Sequence, residues 1–230
     1  MLSSSVNFPD LAQGTPAWHA WRHNGIGGSD APAVIGVSPY RTARELFREK
    51  CKAEPRTSTN TGKAYIFALG HSTELKCRAL FEKKMGAAFP AICAEHEKLD
   101  FLRASLDGLH PEFGIFEAKY MSASTLATIQ RNRALPEHHY VQVQHSLAVT
   151  RMERCFYMAM EGRAHGLLVE VRANHEYIAK LEAEESRFWE QVLEQRARNT
   201  PLAFFRNRLP DESNTGVTIL NAIRDSSFAI

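Results

Sequence analysis

The stretch RASLDGLHPEFGIFEAKY, residues 103–120, constrains the fold more than any other part of the chain. Leu102, Ala104 and Leu106 alternate with Arg103, Ser105 and Asp107, the period-two pattern of a strand with one buried face. A turn is expected at 108–114. GIFEAKY then reads as a second, more apolar strand, with Glu117 and Lys119 on the same face because strand side chains alternate. Charged residues are rare in buried strands, and a lysine there is tolerable when carboxylates compensate its charge. Two carboxylates and a lysine at neighbouring strand ends can hold a hard divalent cation. Mg²⁺ takes oxygen ligands and keeps several waters. Asp107 and Glu117 would supply carboxylate oxygens and the Ala118 carbonyl a third. Lys119 would orient a water or offset charge building on a phosphate. The alternative is a structural ion pair at a strand end. Glu74-Leu75-Lys76 and Glu82-Lys83-Lys84 repeat the E-x-K spacing, but on a predicted helix, where such charges form a solvated face. Glu117-Ala118-Lys119 differs in lying in an apolar strand one hairpin after an aspartate.

The rest of the chain places helices around this pair. Thr15-Pro16 is a helix start, an N-cap followed by proline at the first helical position. Trp18 and Trp21 lie on that short helix. GIGGSD follows, a glycine-rich turn expected to open a short helix ending near Gly36. Thr42 to Glu45 has capping-box spacing and opens a helix through about Lys50. Residues 52–62 read as a polar loop. A longer helix is expected from Lys63 to Met85, closed by Gly86, with Ile66, Leu69, Cys77 and Leu80 on its apolar stripe and Glu74 at the stripe's edge. Beyond the two strands, helices are expected near 122–133 and 136–150, then an antiparallel pair RCFYMAM and LLVEVR, then a helix from Asn174. After Pro201 the pattern weakens to a short helix near 217–224.

Composition excludes several classes. At 230 residues, with 44% hydrophobic and 23% charged residues, the chain suits one domain with a substantial core. The net charge of +2 neither requires nor excludes a nucleic-acid partner, since a local patch can be basic when the total is not. No apolar run is long enough to span a membrane, and the first ten residues lack the pattern of a secretory signal. Cys51, Cys77, Cys93 and Cys155 are scattered without a C-x-x-C pair, suggesting neither zinc nor disulfides. A reducing cytoplasm is the expected location. His138, His139 and His145 read as a polar helix face rather than a zinc set. Cys155 reads as core, and Trp18, Trp21, Phe188 and Trp189 as helix anchors.

The ordered elements resemble a restriction-endonuclease-like PD-(D/E)xK core, an α/β (α+β) fold with a central mixed β-sheet flanked by helices. More narrowly, residues 15 to about 192 resemble the YqaJ-type viral recombinase family of lambda-exonuclease-like alkaline exonucleases. Four blocks in order carry this: WHAWRHNGIGGSDAPAVIGVSPY, LGHSTELKCRALFEKKMG, ASLDG with FEAKY, and YVQVQHSLAVT. One departure is Leu106 before Asp107, where the namesake motif has proline; it affects turn shape, not chemistry. The resemblance implies Asp107 and Glu117 as metal-binding acids with the Ala118 carbonyl, Lys119 as catalytic lysine, and Glu74 as a glutamate supporting the metal through water. It implies Gln142 as an active-site glutamine. Tyr140, Val143 and Leu147 form a helix stripe that leaves Gln142 free to face a site; without the resemblance it reads as a surface glutamine.

The N-terminal block has physics of its own. Amides where Gly27, Gly28 and Ser29 open a helix would favour an anion, and Arg22 can grip phosphate. Ser105 shares a strand face with Asp107. The plainer reading is a tight turn in which Ser29 or Asp30 caps the helix. The resemblance implies that Arg22, Ser29 and Ser105 form a pocket for a DNA 5′-phosphate. It further implies a single nuclease domain over 1–230: an N-terminal extension at 1–14, a helical phosphate-binding segment at 15–50, a nuclease core at 63–192 and a C-terminal extension at 201–230. The expected activity is a Mg²⁺-dependent exonuclease, with Mn²⁺ able to substitute. It would degrade linear double-stranded DNA 5′-to-3′ and leave 3′ tails for recombination. The partners are DNA ends and a single-strand annealing protein, with a homotrimeric ring and no membrane. A restriction-like or structure-specific endonuclease and a non-catalytic DNA-end-binding module are the alternatives.

Overall fold

The computed structural model describes residues 6–52, 61–161, 165–198 and 217–223; side chains of 61–71, 165 and 217–223 are outside the description, including those of Ile66 and Leu69. The chain runs α1 (Pro16–His23), β1 (Ile26–Gly27), α2 (Ala31–Val34), α3 (Ala43–Lys50), α4 (Thr61–Met85), β2 (Ile92–Glu95), β3 (Leu102–Leu106), β4 (Gly108–His110) and β5 (Gly114–Tyr120). It continues through α5 (Ala123–Asn132), α6 (Glu137–Thr150), β6 (Arg154–Glu161), β7 (His165–Arg172), α7 (His175–Arg198) and β8 (Val217–Ile223). The helix starts follow their caps. The Thr15 hydroxyl accepts from the Trp18 N–H, and Thr42 and Glu45 form a complete capping box. α4 ends at Gly86, whose positive φ of 66° is the left-handed conformation that stops a helix.

Eight strands form two mixed sheets among the described residues. One has the order β1-β3-β2, with β1 parallel and β2 antiparallel to β3; the other has the order β4-β5-β6-β7-β8, in which only β5 and β6 are parallel. Asp107 is the single residue between β3 and β4, so it stands where the chain passes from one sheet to the other. The expected turn over 108–114 therefore contains a short strand. Gly108 follows because a Cβ there would stand 2.8 Å from the Phe89 carbonyl oxygen.

The two faces of β5 do different work. Phe116 and Ala118 face a cluster with Cys77, Phe81, Phe89 and Phe156 beneath α4, in which Phe81 and Phe116 stack at 4.7 Å. Ile115 and Glu117 face the other way, toward α6. That helix is enclosed nearly all round, as a helix apolar on most sides must be. Its buried polar groups are paired: the Gln144 side chain bonds the Arg172 carbonyl and the Asn174 N–H, each at 2.9 Å.

Four expectations change. Residues 217–223 form a strand, because pairing with β7 settles a short apolar run whose period alone is ambiguous. Part of the expected C-terminal extension thus completes the larger sheet. His145 is not on a polar face but wholly buried. α2 is a single turn with proline at its start, so it lacks the full set of free amides expected to hold an anion. The Asp30 side chain does not cap it; it turns back to accept from the Gly27 N–H at 3.1 Å. Among the described residues no helix is long and apolar enough to cross a membrane.

Candidate active site

β3, β5 and α6 converge on Asp107. Its Oδ2 accepts from the Ala118 N–H at 2.8 Å, which ties the end of β3 to the strand carrying Glu117 and Lys119. Glu117 is almost fully buried, and its Oε1 receives two donors: Lys119 Nζ at 2.5 Å and Gln142 Nε2 at 2.7 Å. Gln142 thus faces the acids, as its place off the buried stripe of α6 allows. Asp107, Glu117, Lys119 and Gln142 form one connected group. Glu74, one face of α4 away, pairs with Arg78 at 3.6 Å, and its charge acts on both Asp107 and Lys119.

Electrostatics in this group are unbalanced toward negative charge. Burial and the Glu117 charge push the Asp107 carboxyl well above the usual carboxylate range, against Lys119 and the Ala118 N–H. Burial disfavours the Lys119 ammonium, but Glu117 and Asp107 overcome this and hold its pKa above the usual lysine value.

A divalent cation fits this donor set. Among the described residues no three His, Cys, Asp or Glu side chains stand together as a complete cage. Mg²⁺ needs none, since it binds through one or two carboxylates and fills its shell with water and substrate phosphate. Asp107 and Glu117 would hold it, with the intervening Ala118 carbonyl and Glu74 in support, and its charge would relieve the repulsion that raises Asp107.

A second cluster adjoins the first. Arg22 Nη2 donates to Ser29 Oγ at 2.6 Å. The Arg22 guanidinium lies over Trp18, 4.8 Å from the ring centroid, and Trp18 Nε1 donates to Ser105 Oγ at 2.8 Å. Arg22, Ser29 and Ser105 are thus gathered around one indole. The turn carrying Ser29 packs directly on α6: a Cβ at Gly28 would stand 3.2 Å from Gln142 Cγ and from Ser146 Oγ. A larger residue would have to push these neighbours aside, so glycine brings the turn close against the helix that carries Gln142.

Several participants were not foreseen. Arg78 donates to the Asp107 carbonyl at 2.6 Å and so braces the strand junction from α4; its i+4 spacing from Glu74 was the available signal. Tyr157, opposite Glu117 in β6, bonds His139 Nδ1 at 2.7 Å. Burial, then Lys119 and His138, bring the His139 pKa down to about 2, so the ring is neutral. His145 bonds Glu185 Oε1 at 2.7 Å and the Arg103 carbonyl at 3.0 Å, linking α6, α7 and β3. Asp30 and Lys50 form a buried pair under the Arg22–Ser29 turn.

Comparison with known proteins shows the family and the fold. The chain is similar to a Bacillus subtilis (strain 168) protein named Uncharacterized protein YqaJ, with 29% identity over 175 residues, 75% of this chain and 54% of that one. The chain thus spans about half the length of that curated relative. Its fold is similar to that of LHK-Exo, an alkaline exonuclease from Laribacter hongkongensis: TM-score 0.67, 18% identity, 80% of this chain and 95% of that one. The structure of LHK-Exo in complex with dAMP gives a TM-score of 0.68 at 19% identity over the same shares. Residues 17–153, from Arg22 and the glycine turn through Asp107, Glu117 and Lys119 to Gln142, match the YqaJ-like viral recombinase domain, and the chain belongs to that family.

Proposed function

We propose that the protein is a Mg²⁺-dependent exonuclease that degrades one strand of linear double-stranded DNA from its 5′ end, leaving 3′ single-stranded tails for homologous recombination. One observation carries the reading. Ser105 of the Arg22–Ser29–Ser105 cluster is on β3, and Asp107 of the acid cluster is the residue just past the end of that strand, two positions on. Strand geometry separates them by about 7 Å, so one nucleotide can join a terminal phosphate at the first cluster to a phosphodiester at the second. Endonucleases need no site for a chain end, and this adjacency favours an exonuclease.

In this reading Arg22 and Ser29 bind the terminal phosphate through charge-assisted hydrogen bonds. Asp107 and Glu117 hold the metal, with Mn²⁺ able to replace Mg²⁺. When bound, the ion supplies an activated water and polarises the phosphoryl oxygen. Gln142 and Lys119 hold Glu117 from two sides, and the Lys119 ammonium faces the charge that builds as the phosphodiester is attacked. A ring-shaped homotrimer and a single-strand annealing partner belong to the same proposal, resting on the family.

The test is a linear duplex labelled separately at its 5′ and 3′ ends, incubated with the protein and Mg²⁺. The expected result is early release of the 5′ label as mononucleotide, retention of the 3′ label, and no action on closed circular DNA. Cutting of closed circles would instead identify an endonuclease. Binding to ends without release of either label would identify a non-catalytic module.

A further inference from the structure

Two charged side chains lie beneath the terminal-phosphate cluster without belonging to it. Asp30 and Lys50 come from α2's approach and the last turn of α3, and each side chain is 3% exposed. Lys50 Nζ is 2.9 Å from Asp30 Oδ2 and donates to the Arg22 backbone carbonyl at 2.8 Å. Asp30 Oδ2 also takes the Gly27 N–H at 3.1 Å, and its Oδ1 pairs with Arg41. Arg41 in turn reaches Glu49 at 3.2 Å. One ammonium therefore ties the chain at Arg22 to the turn that presents Ser29. The carboxylate fixes that turn from inside, one residue from Ser29 itself.

A buried ion pair of this kind is not explained by stability. Desolvating two charges costs several kcal/mol, and apolar residues of similar volume are often as stable or more so. The pair does position its neighbours. The Arg22 guanidinium passes over Gly27, where a Cβ would stand 3.3 Å from Nη2 and 3.7 Å from Asp30 Oδ2. Lys50, Arg41 and Arg22 surround one Asp30 carboxylate. Burial opposes the Asp30 charge, and these cations more than overcome it, holding the carboxyl well below its usual range. With Glu49 also engaging Arg41, the group keeps one net positive charge, and Arg22 is the cation among them that reaches Ser29.

We infer that Asp30 and Lys50 are positioning residues that set the preference for 5′-phosphorylated ends by fixing Arg22 and Ser29 relative to each other, with no contact to DNA of their own. The inference rests on the proposed terminal-phosphate site and deepens it.

The experiment compares wild type, Lys50→Met, the double variant Asp30→Asn/Lys50→Met, Arg22→Ala, and Arg22→Ala combined with Lys50→Met. Initial rates are measured over a range of DNA concentration, at fixed salt, on duplexes that differ only in a 5′-phosphate or 5′-hydroxyl. The readout is the ratio of kcat/KM values on the two ends. General damage to the fold lowers both rates and leaves this ratio in place. Lys50→Met should lower the ratio at least fivefold, chiefly through KM on phosphorylated ends. Lys50→Met added to Arg22→Ala should lower it no further, because both act on one contact. The double variant removes both charges at nearly constant volume, and it carries the test if Lys50→Met does not fold. A folded Lys50→Met or double variant that keeps the wild-type ratio overturns the inference while Arg22→Ala still reduces it. A wild type that treats the two ends alike overturns the terminal-phosphate reading itself, and the inference with it.

Discussion

Gln142 and Glu117 stand 2.7 Å apart, amide to carboxylate, although 25 residues separate them in the chain. The amide reaches the same Glu117 oxygen that Lys119 approaches at 2.5 Å. Two donors on one oxygen fix the Glu117 side chain, whose charge acts on Asp107. From Tyr140 to Thr150 every residue of α6 is buried except Gln142, which is half-buried and turns its amide to Glu117 on β5.

Gln142→Leu keeps the helix and removes the donor. The expected result is a kcat lowered by about 10–100-fold, the usual loss on removing a group that orients a metal ligand. Affinity for duplex DNA should change little, because a group acting through Glu117 affects the rate and not the ground-state grip. Steady-state kinetics and a separate binding titration in EDTA would check this. A variant with full kcat and weakened binding would make Gln142 a DNA contact.

Asp107→Asn should abolish cleavage and leave the folded protein as stable or more so in EDTA. Burial and the Glu117 charge already push the Asp107 carboxyl up, so a neutral amide there relieves strain between charges. The Asn carbonyl can still accept the Ala118 N–H that Asp107 now takes. Mg²⁺ should raise the wild-type Tm, as any ligand of the folded state does, and raise the variant's less. Thermal melts with EDTA and with Mg²⁺ measure both effects. Cleavage at near wild-type rate would show that Asp107 holds no essential metal.

Much of the site was legible because periodicity reports on faces. Alternation along residues 102–107 and 114–120 places Asp107, Glu117 and Lys119 from sequence alone. The stripe Tyr140, Val143 and Leu147 leaves Gln142 off it, although α6 itself is buried on nearly every side. What stayed hidden depends on contacts between distant segments. Lys50 ends a helix with an ordinary capping box, and nothing local marks its ammonium as buried against Asp30. His145 follows two other histidines and resembles a polar face, yet Glu185, 40 residues on, draws it inside. β8 is a strand only because β7 offers an edge to it.

His145 gives stability a pH dependence whose sign can be worked out. Both its partners, the Glu185 carboxylate and the Arg103 carbonyl, are acceptors, so both ring nitrogens donate and the ring is charged. Burial opposes that charge, but Glu185 and the carbonyl outweigh it and raise the pKa above 6.5. Asp30 adds a weaker pull in the same direction. A raised pKa stabilises fully below the unfolded value and loses its effect as pH rises through the folded one. His145→Gln should therefore cost about 3–5 kcal/mol at pH 6, the range for breaking a buried charged pair. The cost should shrink at higher pH. Denaturant melts of both proteins from pH 6 to pH 9 would check it, and a constant difference across that range would show His145 to be neutral throughout.

Arg22→Ala tests direction. The Arg22 guanidinium is held over Trp18 and bonded to Ser29, and Ser105 accepts from the Nε1 edge of the same indole. If that cluster grips the terminal phosphate, wild type prefers phosphorylated over hydroxyl 5′ ends. The variant loses a charge-assisted contact, so the preference should shrink by about 1.5–3 kcal/mol, the usual worth of a hydrogen bond to a charged group. Binding along the duplex should persist, with its salt dependence, because other basic residues neutralise internal phosphates. The measurement is the initial rate on duplexes differing only in the 5′-phosphate, for both proteins at fixed salt. Ser29→Ala should shift the preference in the same direction by less, since a hydroxyl brings no charge of its own. Equal losses on both ends would make Arg22 a general backbone contact, and the 5′ polarity would then have to come from how the duplex enters the site rather than from its terminal phosphate.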